Sequence, residues 1–251
     1  MRVALGLEYD GSRFLGWQTQ PGGGAVQDAL QSALAAIAGD SVNVTAAGRT
    51  DRGVHARAQV VHFDTGASRP EFAWVRGVNT HLPDGISVLW SREVDPQFHA
   101  RFSALSRTYR YRLLNRHERP GIEAQYLGWF HLPLDVDAMR AAASMLVGEH
   151  DFSAFRSSEC QAKTPVRNVH QLEIEKRGDE IHFTIRANAF LHHMVRNIVG
   201  TLVYVGKGKH RPEWVREVLR SRERSKAAPT FGPEGLVLER IEYDMKWGIP
   251  Q

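Results

Sequence analysis

The chain has 251 residues, 42% hydrophobic and 24% charged, with 32 Lys and Arg against 28 Asp and Glu for a formal charge of +4. That length buries a full core in one large domain or two small ones, and the composition excludes a disordered or low-complexity chain. A single cysteine, Cys160, excludes a disulfide framework and a cysteine-rich zinc site and reads as a small packed side chain.

At the start, Val3, Leu5, Leu7 and Tyr9 alternate with Arg2, Ala4, Gly6 and Glu8, the pattern of a half-buried strand rather than of a charged and then apolar leader. No apolar run is long enough to cross a bilayer, so the chain reads as cytoplasmic. Asp10 to Gly24 is a Gly-rich loop packed down by Phe14 and Trp17. From Ala25 the period becomes helical through Val26, Ala29, Leu30, Ala33, Leu34 and Ile37, stopped by Gly39. Strands are expected at 42–46, 59–63 and 86–94, with a helix over 71–81 opened by Pro70. The order is β-α-β-β-α-β, a ferredoxin-like unit.

The second half repeats it. Strand 108–114 puts Tyr109, Tyr111 and Leu113 on one side and Arg110 and Arg112 on the other. Val136, Met139, Ala142, Ala143 and Leu146 make a helix face, and 169–175 with 181–187 forms a hairpin around Arg177-Gly178-Asp179. An amphipathic helix over 190–205, a second over 212–221 and a strand over 236–244 complete the order. The expected fold is α+β, with two tandem ferredoxin-like halves, 1–104 and 105–251, whose mostly antiparallel sheets meet at a central cleft.

The chemistry concentrates between the second and third strands, in A-G-R-T-D-R-G-V-H-A-R-A-Q from Ala47 to Gln59. Gly48 and Gly53 bracket one carboxylate, Asp51, with Arg49 and Arg52 beside it. In an extended loop Arg49 and Asp51 share a side, and nearby guanidiniums keep the carboxylate ionised. On residue types alone such a loop reads as a salt-bridged turn. Arg196 falls on the edge of the apolar stripe of the 190–205 helix, where it snorkels to water or meets a buried anion. Tyr109 and Tyr111 read as core packing, and His55 and His62 as ordinary hydrogen-bonding residues. His192 and His193, as helix neighbours, diverge by about 100° and make a poor metal pair. Basic residues cluster at 101–119 and 207–226, as a solvated face or as phosphate contacts along a folded RNA. No Walker loop, dinucleotide fingerprint or metal-ligand cluster is visible.

The string G-R-T-D-x-G-V-H-A closely resembles the catalytic motif of the TruA family of tRNA pseudouridine synthases. Further segments match the family elsewhere: F-H-A-R-F-S-A (98–104), R-T-Y-R-Y (107–111), H-D-F-S-A-F-R (150–156), P-V-R-N-V (165–169), A-N-A-F-L-H-H-M-V-R-N-I-V-G (187–200) and E-G-L ending at Leu236. They keep the family's order over nearly the whole chain. The resemblance implies isomerisation of uridine to pseudouridine at positions thirty-eight to forty of the tRNA anticodon stem-loop, by a homodimer needing no cofactor or metal. It assigns the catalytic carboxylate to Asp51, as nucleophile at the sugar or the base or by abstracting a sugar proton. It pairs Arg196 with that aspartate, which would lower the Asp51 pKa, and it sets Tyr109 against the target base. Arg49 would hold the nucleotide out of the stack, and Leu236 would line the pocket. Two rivals remain at this level. One is a non-catalytic binding module for structured RNA. The other is a hydrolase with paired carboxylates, which would need Glu8 or Asp10 near Asp51.

Overall fold

A computed structural model describes residues 1–250. It divides into two compact units, Met1–Ser106 with Val237–Gln251, and Arg107–Leu236. Both are mixed α+β with mostly antiparallel sheets. The expected division kept 105–251 together. The closing strand β10 (Leu236–Tyr243) joins the first unit instead, because Val237 and Leu238 pair in parallel with His55 and Ala56.

In the first unit β1 (Arg2–Tyr9) is central, antiparallel to both β3 (His55–Asp64) and β4 (Ile86–Val94). Strand β2 shrinks to Thr45–Ala46, on the outer side of β3 against His62 and Val61. The apolar residues Val42 and Val44, read as strand, are buried without pairing. β1 is also buried on both faces, not one. Ala4 is as enclosed as Leu5, and a Cβ on Gly6 would lie 2.0 Å from the Trp90 indole. A central strand covered on both sides gives a run of small and apolar residues rather than clean polar alternation.

Helix α1 (Val26–Ala38) follows its sequence signals closely. The Asp28 carboxylate accepts the Ala25 N–H at 3.1 Å, and Gly39 ends the helix at φ +80° with its N–H on the Ala35 carbonyl. Val26, Leu30, Ala33 and Leu34 form its buried face, and each leucine contributes about 1.5–3 kcal/mol relative to exposure. The second expected helix carries a π-helical turn, Ala73–Gly77, leading into α2 (Val78–His81). That one-residue-wider turn leaves Trp74 packed edge-on against Phe63, ring centroids 5.3 Å apart.

The second unit orders its strands β5 (Ala104–Asn115), β9 (Glu180–Ala187), β8 (Val166–Arg177) and β7 (Gly148–Asp151), all antiparallel. A short β6 (Gly128–Phe130) runs parallel to the end of β5. The β8–β9 hairpin turns through Gly178 and Asp179, with Gly178 at φ +60° as a tight turn between right-twisted strands requires. Helices α3 (Val136–Ser144), α4 (Met194–Gly206) and α5 (Trp214–Ser221) complete the unit.

Helix α4 departs most from expectation. It begins at Met194, not Phe190, because His193 takes a left-handed φ of +63° and breaks the register of the preceding residues. Nor is it amphipathic in place, since every residue except Arg196 and Tyr204 is buried. Gly200 allows the Pro229 carbonyl to within 2.3 Å of where a Cβ would sit, and Gly206 does the same for Met139 of α3. Neighbours on several sides replace the solvent that its polar residues were expected to face.

Candidate active site

In the first unit, Asp51 opens a tight turn. Its carbonyl accepts the Val54 N–H at 3.1 Å, with Gly53 at φ +80° supplying the left-handed residue. The turn is clamped from the backbone. Trp17 N–H donates to the Thr50 carbonyl at 2.9 Å and Gly53 N–H to the Gly11 carbonyl at 3.2 Å. The contact tolerates no side chain. A Cβ on Gly11 would stand 1.9 Å from the Val54 oxygen, and one on Gly16 would stand 3.0 Å from Thr50 O. Phe14 and Trp17 are buried, so the Gly-rich loop is held down by its own aromatics as expected.

Side chains complete the clamp. The Tyr9 hydroxyl lies 2.8 Å from Thr50 Oγ1 and 3.2 Å from Gln59 Nε2, which also donates to the Gly48 carbonyl at 2.7 Å. Gln59 is fully buried, and its Oε1 has no hydrogen-bond partner among the described residues. Burial pushes the Tyr9 hydroxyl up to about 12, outweighing the hydrogen bonds from Thr50 and Gln59, so it stays neutral at working pH. Asp51 is thus half-buried at the head of a rigid turn, while Arg49 and Arg52 are exposed. His55 serves the same frame, its Nδ1 accepting the Gly11 N–H at 3.1 Å and lying 3.2 Å from Asp10 Oδ1. Asp10, considered above as a second acid, caps its own turn by accepting Ser12 N–H and O–H.

In the second unit, Tyr109 pairs with Ile185 across β5 and β9 and packs edge-on against Phe190, centroids 5.0 Å apart. It is 8% exposed. Tyr111 is fully enclosed, its hydroxyl donating to the Gly232 carbonyl at 2.8 Å and its ring edge-on to Phe231. Burial and the Glu234 carboxylate raise its pKa, with Arg196 pulling the other way. Arg196 is half-buried, and its Nε donates to the Phe231 carbonyl at 2.9 Å. Leu236 is buried at the end of the same 231–236 segment, its N–H on the Pro233 carbonyl. One segment therefore touches the arginine, anchors Tyr111 and carries Leu236.

The histidine pair needs correction. Because α4 starts only at Met194, His192 and His193 do not diverge as helix neighbours, and their rings lie 4.0 Å apart. Cys160 is likewise not a packed core residue. It is half-exposed, and its Sγ accepts the His192 N–H at 3.4 Å. Burial pushes its thiol up, but the His192 and Ala162 N–H groups and the Arg156 guanidinium outweigh that and lower it.

The residues missing from the sequence reading are those that hold others: Tyr9, Gly11, Gly16, Thr50 and Gln59 around the Asp51 turn, and Phe190 and Phe231 in the second unit. The one available signal was Gln59, an amide inside an apolar strand.

Comparison with known proteins agrees with the motifs. Residues 7–103 and 142–244 match the family model described as tRNA pseudouridine synthase. The tRNA pseudouridine synthase A of Thiobacillus denitrificans is 57% identical over 251 residues, covering 100% of this chain and 96% of that one. That of Dechloromonas aromatica is 56% identical over 250 residues, covering 100% and 95%. Among solved structures, a Cbf5-Nop10-Gar1 complex covers 80% of this chain and 45% of that one at 12% identity and TM-score 0.38, too distant to bear on the fold. The chain is an RNA-modifying isomerase by class. It belongs to the tRNA pseudouridine synthase family.

Proposed function

We propose that this enzyme converts uridine to pseudouridine at positions thirty-eight to forty of the tRNA anticodon stem-loop, with Asp51 as its catalytic carboxylate. The observation that carries the reading is the Asp51 turn. A family motif string folds into a half-buried carboxylate whose backbone is clamped by Gly11 and Trp17. Preorganisation of this kind lets a reacting group act without first being ordered.

The reaction breaks the bond from uracil N1 to ribose C1′, turns the base, and joins C5 to C1′. The hydrogen on C5 leaves to water, and N1 takes a proton. No electron or group is gained. Arg196 supplies the guanidinium that serves the catalytic carboxylate, and Tyr109 presents its ring and hydroxyl to the base. Arg49, exposed beside the turn, helps hold the extruded nucleotide, and Leu236 lines the pocket. The architecture we propose for each unit is ferredoxin-like. The β4-β1-β3-β2 order of the first unit and the β5-β9-β8 order of the second support it. By resemblance the enzyme works as a homodimer in the cytoplasm, without cofactor or metal.

The test is tritium release from tRNA carrying 5-tritiated uridine. Wild type is expected to release tritium from substrates with uridine at the three named positions. Asp51→Asn is expected to bind tRNA and release none. Binding without release by the wild type, across substrate tRNAs, would leave only an RNA-binding protein.

A further inference from the structure

Asn197 follows Arg196 on α4 and is 1% exposed. Its Nδ2 donates to the Phe155 carbonyl at 2.8 Å, and its Oδ1 accepts from Thr230 Oγ1 at 2.7 Å and Arg224 Nη2 at 3.0 Å. Arg224 Nη2 also donates to Thr230 Oγ1 at 3.0 Å, and Nη1 to the Ala228 carbonyl at 2.9 Å. The next residue, Pro229, rests its carbonyl on Gly200. Phe231 then exchanges hydrogen bonds with Arg196: its N–H donates to the Arg196 carbonyl at 3.3 Å, and its carbonyl accepts Arg196 Nε at 2.9 Å. Each residue from 228 to 231 is thus fastened to α4 or to Arg224.

Arg224 is an unusual choice for this work. Among the described residues no carboxylate pairs with it, and its partners are neutral oxygens. Burial lowers its pKa, so a desolvated charge is maintained to bind carbonyl, amide and hydroxyl groups. A guanidinium is a rigid plane with fixed donor directions. Fixing Nε against one carbonyl therefore fixes where the terminal nitrogens of Arg196 point.

We propose that Arg224 and Thr230 are positioning residues for Arg196: bound together on Asn197, they hold the 228–231 segment so that the Phe231 carbonyl orients the Arg196 guanidinium. The proposal rests on the catalytic role given to Arg196 above. It concerns the rate of the chemical step rather than tRNA affinity.

The test is a double-mutant cycle read by single-turnover tritium release at saturating enzyme, with tRNA binding by filter retention and melting by circular dichroism. Thr230→Val keeps the side-chain shape and removes the hydroxyl. It is expected to slow release on the order of tenfold, less than the roughly hundredfold that a ~1 Å misplacement can cost. Affinity should stay within about twofold. Thr230→Ser should restore the rate. In an Arg196→Lys background, which lacks Nε, Thr230→Val should add no further loss. If Thr230→Val does not fold, Arg224→Lys replaces it in the cycle. Losses that add in full, or that fall on affinity or melting alone, overturn the brace while leaving Arg196 catalytic. An unchanged rate for Arg196→Lys and Arg196→Gln removes the role of Arg196, and the proposal with it.

Discussion

Tyr9→Phe tests whether the clamp on the Asp51 turn is held by side chains as well as backbone. The substitution removes one oxygen and leaves the ring, so no cavity larger than that atom forms. What is lost is the bond to Thr50 Oγ1 at 2.8 Å and the bond from Gln59 Nε2 at 3.2 Å. Both partners are buried, and Gln59 keeps only the Gly48 carbonyl. At about 0.5–1.5 kcal/mol net for each bond, the variant should be less stable by about 1–3 kcal/mol at pH 7.5. The gap should then narrow in alkali. Burial raises the Tyr9 pKa from 10.0 to about 12, so its neutral form contributes stability that is fully present below 10 and lost as pH rises through 12. At pH 11 the wild type has lost about 1.4 kcal/mol through this group, a loss the variant cannot suffer because it has no hydroxyl to ionise. Urea unfolding of both proteins at the two pH values measures this directly. A difference under about 0.5 kcal/mol at pH 7.5, or a gap that is constant or wider at pH 11, would refute the reasoning.

Gly11→Ala places a methyl 1.9 Å from the Val54 carbonyl, with backbone on both sides, so the turn must shift. We expect about 1–3 kcal/mol of destabilisation and a tritium-release rate at least tenfold lower; wild-type release would show that the clamp does not set the Asp51 geometry. Tyr109→Phe keeps the ring against Phe190 and removes the hydroxyl. If that hydroxyl moves a proton, single-turnover release falls by about 10²-fold or more with tRNA affinity kept, whereas an unaltered rate assigns Tyr109 to stacking alone. His62 is 6% exposed and accepts the Ala100 N–H at 3.1 Å. Burial, then His99 and Arg2, lower its pKa to about 4 against the pull of Asp64. Its contribution is present above 6.5 and lost as pH falls through 4, so wild type should lose about 1–2 kcal/mol between pH 7.5 and 5 that His62→Asn retains. Parallel urea curves at the two pH values for both proteins would refute it.

Local patterns were strong where one residue type has one physical use. Helix α1, its Gly39 stop and strand β4 lie where periodicity put them, because burial on a single face writes itself into spacing. Family motifs likewise single out Asp51, Tyr109 and Arg196, the residues proposed here to carry the chemistry, without reference to the fold. Tertiary contact decided what spacing could not carry. Whether Val42 and Val44 pair or merely pack depends on which edge of β3 is open to them. The start of α4 depends on one left-handed residue, His193, whose conformation no periodicity records. The allegiance of the last strand was set by two residue pairs with β3, formed across the Arg57–Ser106 part of the first unit and all of the second in sequence. Most of all, the glycines, amide and hydroxyls that hold the Asp51 turn come from segments some forty residues apart, Tyr9 with Thr50 and Gly11 with Val54. The motifs of a chain mark which side chains are candidates to react. Which ones hold them still depends on close approaches that exist only once distant backbone segments have met.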